Sequence, residues 1–212
     1  MYKLTSTLPH PVARFVAICV GLELLVFAGQ VLAPGIGVRQ VFVVLGGFWP
    51  DALGSNVQLY PGQAVFMFAS SAFLHGGPLH LLMNMIGLVW LAPIVIERVG
   101  DRSFWPIAGL SALGAGTAFV VLTTSNVPMI GASGVLFGLL GTVSWWSVAD
   151  RVDRRESLGP VIGNALGFLV LNITLMALSP GTIAWQAHLG GFLAGLFVGA
   201  MTWKRQRGVL VR

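Results

Sequence analysis

Apolar residues in this chain fall in six long blocks, without the periodic polar positions of helices or strands that have one wet face. The blocks cover roughly 15–33, 78–96, 104–123, 131–149, 158–178 and 183–203. Each is close to the roughly 20 residues that a helix needs to cross about 30 Å of hydrocarbon. The pattern predicts an all-α polytopic membrane protein with six transmembrane helices, forming a single domain over 1–212.

The connection between the first two blocks, 34–77, is far longer than the other connections. It contains the apolar run VRQVFVVLGGFW, which is too short to span a membrane. Such a run is typical of an interfacial or re-entrant segment. We expect the first block itself to be a retained helix and not a cleaved signal peptide, because it contains Glu23 and no clear small-x-small cleavage site follows it.

Composition supports a lipid environment. Hydrophobic residues make up 56% of the chain and charged residues only 9%, whereas a soluble domain carries about a quarter charged residues. The 28 glycines suit membrane helices, which pack closely through small residues. The single cysteine, Cys19, excludes an intrachain disulfide and a cysteine-rich metal site.

The basic residues report topology. They flank the apolar blocks and do not form a stripe, so the net charge of +5 gives no reason to expect a nucleic-acid partner. With six spans, eleven of the twelve lysines and arginines fall on the side of the termini, and only Arg39 lies opposite. The positive-inside rule therefore predicts cytoplasmic termini, as in a bacterial-type inner membrane.

Polar residues inside the spans cluster at one depth. The second span opens with HGGPLHLLMNM, which contains His75, His80 and Asn84; the fourth opens with GASGVLFG, which contains Ser133; and the sixth opens with AWQAHLGGFLAG, which contains His188. These three spans all run from outside to inside, so the residues lie at a similar depth just below the extracytoplasmic surface. Intramembrane polar groups are costly and tend to be functional, which indicates one site.

Small residues accompany the polar ones on the same helix faces. His80 and Asn84 are four residues apart, which places them on one stripe of the second helix. Glycines line the faces that carry Ser133 and His188, so we expect the fourth and sixth helices to approach closely there. The glycines are Gly87 on the second helix, Gly134, Gly138 and Gly141 on the fourth, and Gly191, Gly195 and Gly199 on the sixth.

These residue types fit nucleophilic catalysis. A serine hydroxyl needs a base, and a neutral imidazole is the usual base near pH 7. Glu23 lies too deep to complete a triad, and Asp51 is the only acid in the extracytoplasmic loops, so a Ser133–His188 dyad is the economical interpretation. The start of a helix at Ser133, with His80 and Asn84, could donate hydrogen bonds to an oxyanion.

Other interpretations remain open from the residues alone. His75, His80 and His188 could bind a metal, although zinc sites usually show closer pairing or carboxylate and thiolate company, so we predict no metal and no cofactor. A channel or transporter is disfavoured because polarity is confined to one end of the spans. For Glu23 we expect a protonated or hydrogen-bonded structural role.

The order HGGPLHLLMN, GASG, AHLGG in a six-helix chain resembles the rhomboid intramembrane serine proteases over essentially its whole length. The resemblance implies a Ser133 nucleophile, a His188 base, and an oxyanion hole from His80, Asn84 and the Ser133 backbone N–H. It also implies supporting roles for the residues His75, Gly131, Gly134, Phe137, Gly191 and Gly195. The long first loop is similar to the membrane-embedded loop of that family.

One departure concerns that loop, where many rhomboid proteases carry a Trp-Arg pair and this chain has Phe66 and Met67. The resemblance implies an endopeptidase that cleaves transmembrane segments of membrane proteins in the lipid bilayer. The alternative is a rhomboid-like pseudoprotease that binds membrane-protein clients without cleaving them. Pseudoproteases have typically lost the serine or the histidine, and this chain keeps both Ser133 and His188.

Overall fold

The computed structural model describes residues 8–54, 57–124, 126–178 and 184–210. These ranges hold eight α-helices and three short 3-10 helices, Pro50–Leu53, Ser71–Phe73 and Asp101–Ser103. The α-helices are α1 His10–Leu32, α2 Val38–Gly46, α3 Gln63–Ser70, α4 Pro78–Val99, α5 Phe104–Leu122, α6 Ser133–Asp153, α7 Gly159–Leu178 and α8 Trp185–Leu210.

The six long helices of the described chain fall on the six apolar blocks, with shifts at their ends. Helix α6, which corresponds to the fourth block, begins later than that block. Gly131 has a φ of +122°, which prevents the helix from including it. Three segments of the described chain are long and apolar enough to cross a membrane, namely α1, α4 and Asp101–Leu122. The fold is therefore an all-helical membrane fold, and the count of six spans remains a prediction.

A buried apolar cluster joins α1, α4, α5 and α6. Phe15 of α1 contacts the ring of Phe104 edge-on, with the centroids 6.0 Å apart. Leu88 of α4 and Leu139 of α6 are fully buried in the same cluster. These contacts hold α1, α4, α5 and α6 together. They thereby fix the helices that carry the polar residues at the Ser133 end of the bundle.

Helices α6 and α8 touch through their backbones. A methyl group added to Gly191 would overlap the carbonyl oxygen of Gly134, and one added to Gly195 would overlap that of Gly138. Hydrogen bonds continue the contact toward the far end, where the Trp146 indole N–H donates to the Gly199 carbonyl at 3.1 Å. The glycine faces predicted from the sequence are thus the surfaces that meet.

The long first loop is folded against the bundle. Met67 of α3 is fully buried in a second apolar cluster with Phe48 and Phe119, while Phe66 is exposed. At the position where the resemblance leads us to expect an arginine, this chain therefore places an apolar side chain in a core between the loop and α5. The Trp49 indole N–H also donates to the Val43 carbonyl at 3.0 Å, which fixes the turn after α2.

At the end of the bundle away from Ser133, α4 and α6 are joined by an ion pair. The Arg98 guanidinium donates two hydrogen bonds to the Asp150 carboxylate, at 2.8 and 3.0 Å. The Trp203 indole N–H of α8 donates to the same carboxylate at 3.0 Å. This cluster ties three helices together far from the polar residues at the start of α6.

The α6–α8 contact predicts opposite effects of alanine at two helical glycines. Gly195→Ala should lower the free energy of unfolding by about 1–3 kcal/mol, because the added methyl cannot fit against Gly138. Gly109→Ala should be neutral or stabilising by up to about 1 kcal/mol, because Gly109 of α5 faces open space. Thermal unfolding of both variants in detergent measures the difference; equal stability of the two would contradict the packing.

Candidate active site

Ser133 and His188 form a hydrogen-bonded pair. Ser133 is the first residue of α6, and His188 lies in the first turn of α8. The Ser133 Oγ is 2.9 Å from the His188 Nε2. The backbone contact between α6 and α8 one turn below sets this distance, because the helices cannot separate without breaking it.

Phe137 orients the His188 ring. It lies one turn after Ser133 on α6, and its ring is stacked on the imidazole with centroids 4.2 Å apart and planes 7° apart. One helix therefore carries both the hydroxyl and the surface against which the imidazole lies. The imidazole can turn within its own plane only by losing the hydrogen bond to Ser133.

His80 of α4 faces the segment that leads into α6. Its Nδ1 accepts a hydrogen bond from the Gly76 backbone N–H at 3.3 Å. Its Nε2 is on the side of Gly131, where a methyl group on Gly131 would stand 2.8 Å away. Gly131 thus leaves open the space between the His80 ring and the start of α6.

Asn84, one turn below His80, presents an unused donor. The side chain is buried, since only 5% of its surface is exposed. Its Nδ2 has no hydrogen-bond partner within the described residues, and it also lies on the side of Gly131. A buried amide without a partner costs free energy, which is offset where the group binds a ligand or a reaction intermediate.

His75 supports the same corner of the molecule from the first loop. Its ring is buried, and it contacts the His80 ring edge-on with centroids 5.2 Å apart. Burial, followed by the charge of a protonated His80, lowers the pKa of His75 to about 4. The His75 imidazole is therefore neutral at pH 7.

The first loop also fixes the segment before α6. Phe48 and Met129 exchange two backbone hydrogen bonds, at 2.9 and 3.0 Å. Two residues later, the Gly131 N–H donates to the Ser71 carbonyl at 2.9 Å. The first loop therefore fixes the backbone of the segment that leads to Ser133, including the turn at Gly131.

The acids considered for a triad have other partners. Asp51 accepts a hydrogen bond from the Asn126 side chain. Glu23 accepts two hydrogen bonds from Arg39 of α2, at 2.8 and 2.9 Å. Of the two roles expected for Glu23, protonated or hydrogen-bonded, the structure shows a hydrogen-bonded carboxylate in an ion pair with Arg39. The sequence pattern distinguishes Arg39 only as the one lysine or arginine of the first loop.

An apolar cleft of about 680 Å³ opens beside His188. It is bounded by α4, α6, α7 and α8, with Phe137 and His188 at one end. The described side chains of α7 are mostly exposed, so this helix leaves the cleft open along its length. No group of three or more His, Cys, Asp or Glu side chains in the described chain is arranged to hold a metal ion.

A family profile described as the Rhomboid domain matches residues 62–205, about two thirds of the chain. The chain belongs to the rhomboid family. The matched region includes all the residues of the Ser133 site, from His75 to Gly195, and excludes Glu23 and Arg39.

Several curated proteins resemble this rhomboid. RHOMBOID-like protein 5 of Arabidopsis thaliana is 34% identical over 137 residues, which cover 61% of this chain and 41% of that protein. Rhomboid-like protease 3 of Toxoplasma gondii is 28% identical over 165 residues, covering 74% of this chain and 57% of that protein. Rhomboid protease GlpG of Yersinia enterocolitica is 30% identical over 150 residues, covering 71% and 50%.

The similarity to this rhomboid spans roughly two fifths to three fifths of the length of those relatives. Family membership, together with the apolar helices, makes the chain an integral membrane protein. The relatives named as proteases support intramembrane proteolysis in general.

Proposed function

We propose that this rhomboid is an intramembrane serine endopeptidase that cleaves transmembrane segments of membrane proteins with a Ser133–His188 dyad. The observation that carries the proposal is the 2.9 Å hydrogen bond between the Ser133 Oγ and the His188 Nε2 at the start of α6. A serine so placed has a base within proton-transfer distance. Retention of both residues favours catalysis over client binding alone.

In the proposed reaction, the Ser133 Oγ attacks the scissile carbonyl carbon while its proton passes to the His188 Nε2. The tetrahedral intermediate collapses when the His188 Nε2–H gives that proton to the leaving amine, which leaves an acyl group on Ser133. Water then attacks the ester and gives one proton to the His188 Nε2. The bond between the acyl carbon and the Ser133 Oγ breaks, the Oγ takes that proton back from His188, and the acyl group leaves as a carboxylic acid.

The developing oxyanion needs donors on the side of Gly131. The first N–H groups of α6 have no acceptor within the helix and stand at the positive end of its dipole. The unpartnered Asn84 Nδ2 and the His80 Nε2 flank the same space. A glycine at 131 is needed because a methyl group there would stand 2.8 Å from the His80 Nε2.

The substrate is a transmembrane helix that enters laterally from lipid. The apolar cleft between α4 and α7 ends at His188 and offers a route for such a segment. A hydrogen-bonded helix hides its carbonyls, so the segment must unwind locally before Ser133 can attack. Small residues at the cleavage site would ease both unwinding and entry.

The proposal includes a six-span topology with both termini in the cytoplasm of a bacterial-type cell. The support is the distribution of basic residues, eleven of twelve on the side of the termini. Ser133 and His188 then open toward the extracytoplasmic side, from which water can reach the acyl-enzyme.

Ser133→Ala should abolish cleavage of a transmembrane substrate in detergent. The acyl-enzyme cannot form without the Ser133 Oγ, so a fluorophosphonate probe should label the wild type and not the variant. Stability should change by no more than about 1 kcal/mol, since one hydrogen bond is lost. Cleavage by the purified variant at the wild-type rate would refute the nucleophile assignment.

Asn84→Ala and His80→Ala should each lower kcat more than they raise KM, because an oxyanion donor acts mainly in the transition state. Loss of one donor costs about 10²–10³ in kcat in other hydrolases. The remaining donors can compensate in part, so the smaller figure is expected for Asn84→Ala. A normal kcat with a greatly raised KM would show that Asn84 binds substrate instead.

Activity should fall on the acid side in a single step. His188 accepts the Ser133 proton only when it is neutral, so activity is present above its pKa and lost as the pH drops through it. The step should lie in the range where imidazoles titrate, about 6.5 for a model imidazole. The dependence of kcat/KM on pH should be the same in Asp51→Asn as in the wild type. If the wild type instead shows a step above neutral pH that Asp51→Asn removes, Asp51 would be a third catalytic residue and the dyad would be a triad.

A further inference from the structure

Arg39 of α2 contacts both α1 and the turn that carries His75. Its guanidinium donates to both carboxylate oxygens of Glu23 on α1, at 2.8 and 2.9 Å. The same Nη1 donates to the His75 backbone carbonyl at 2.6 Å. Glu23 is 7% exposed and Arg39 18% exposed, so both groups are shielded and the hydrogen bonds are held in place.

The His75 carbonyl belongs to the same peptide group as the Gly76 N–H. A trans peptide is planar, and its C=O and N–H point in opposite directions. Here the C=O accepts from Arg39, while the N–H donates to the His80 Nδ1 at 3.3 Å. The guanidinium therefore fixes the rotation of this peptide and polarises its N–H, which strengthens the donor that faces His80.

This hydrogen bond selects the protonation form of His80. An imidazole nitrogen that accepts an N–H bond bears no proton, so the neutral His80 ring carries its proton on Nε2. The Nε2 is the nitrogen on the side of Gly131. In the opposite tautomer a lone pair would face the oxyanion and repel it, so the tautomer decides whether His80 helps or hinders.

We propose that Arg39, oriented by Glu23, is a positioning residue that holds the His75–Gly76 peptide so that His80 presents its Nε2–H to the reaction centre. The proposal rests on the oxyanion role of His80 given above. It assigns a purpose to an ion pair that lies outside the matched Rhomboid domain. Met67, at the position of the arginine in the Trp-Arg pair, is fully buried in an apolar cluster and makes no ion pair of this kind.

A simple staple between α1 and α2 would need only the Glu23–Arg39 pair. Arg39 also donates a hydrogen bond to the Gln30 Oε1 of α1, at 3.5 Å. The hydrogen bond to the His75 carbonyl is the shortest that Arg39 makes among the described residues, and it does not join α1 to α2. It reaches 36 residues along the chain to the turn before α4. The two roles therefore predict different outcomes when Arg39 is removed.

The test variant is Glu23→Gln/Arg39→Met. It removes the donor to His75 and leaves no lone buried charge, which would otherwise cost several kcal/mol and threaten folding. The matched control is Arg98→Met/Asp150→Asn, which removes another ion pair with two hydrogen bonds, more exposed than the first, at the other end of the bundle. Thermal unfolding of both proteins establishes that they are folded to a similar degree.

The first readout is the tautomer of His80, measured through the imidazole ¹⁵N signals of the full chain in detergent. The chain has four histidines, so His80→Gln identifies the relevant pair of signals. The wild type and the control should show one neutral form with an unprotonated Nδ1, and the test variant a mixture of both forms. Unchanged His80 signals in the test variant would overturn the proposal, and this holds whether or not the protein proves to be a protease.

The second readout is a double-mutant cycle on kcat. In the wild-type background, Glu23→Gln/Arg39→Met should lower kcat about tenfold with little change in KM. In the His80→Ala background, the same change should lower kcat less than about twofold, because the effect passes through His80. The control change Arg98→Met/Asp150→Asn should alter kcat by the same factor in the wild-type background and in the His80→Ala background. Equal losses of kcat in both backgrounds would show that Arg39 only links α1 to α2. If the wild type shows no Ser133-dependent cleavage, the protease assignment is refuted, and the tautomer measurement alone decides the role of Arg39.

Discussion

The backbone contact between α6 and α8 determines where the polar residues of this rhomboid can meet. In lipid, hydrophobic collapse does not press helices together, so close packing has to come from surface shape and small residues. Gly191 and Gly195 rest on the carbonyls of Gly134 and Gly138 with no room for a methyl group. This spacing is what leaves the Ser133 Oγ 2.9 Å from the His188 Nε2 at the top of the same interface. The distance between the hydroxyl and the imidazole is thus a consequence of helix packing and needs no flexible loop.

The first loop forms the side of the site opposite the α6–α8 contact. It pairs Phe48 with Met129, accepts the Gly131 N–H at Ser71, and buries Met67 against α5. Through these contacts the turn before Ser133 is defined from outside the helix bundle, which suits a segment that must leave space beside His80. A site built only from α4, α6 and α8 would have the right side chains but an undefined entry into α6. Loop and bundle therefore contribute different parts of one arrangement: the bundle fixes the serine and histidine, and the loop fixes the groups that surround them.

Residues with a local pattern were predictable from the sequence, and those that depend on the path of the loop were not. The glycine faces follow helical spacing, so the approach of Ser133 to His188 could be expected from that spacing alone. Hydropathy marks only three segments of the described chain as spans; in α6 the glycines and serines that permit close packing also lower the mean hydropathy. Arg39 could not be placed, since its partners are 16 and 36 residues away. A signal existed nonetheless. Glu23 is the single acid within an apolar block, Arg39 is the only lysine or arginine on the predicted extracytoplasmic side, and shielded charges pair.

In the proposed Ser133–His188 dyad, no carboxylate is needed to orient the imidazole. In a triad the carboxylate holds the imidazole in one orientation and stabilises its protonated form. Here orientation is available from Phe137, whose ring lies parallel to the imidazole at 4.2 Å and sits on the same helix as the nucleophile, one turn on. A lipid-facing site benefits from this substitution, because a ring next to the cleft avoids the cost of burying an anion that a carboxylate would impose. The proposed dyad therefore suits the apolar lining of the cleft, because it places no buried anion there.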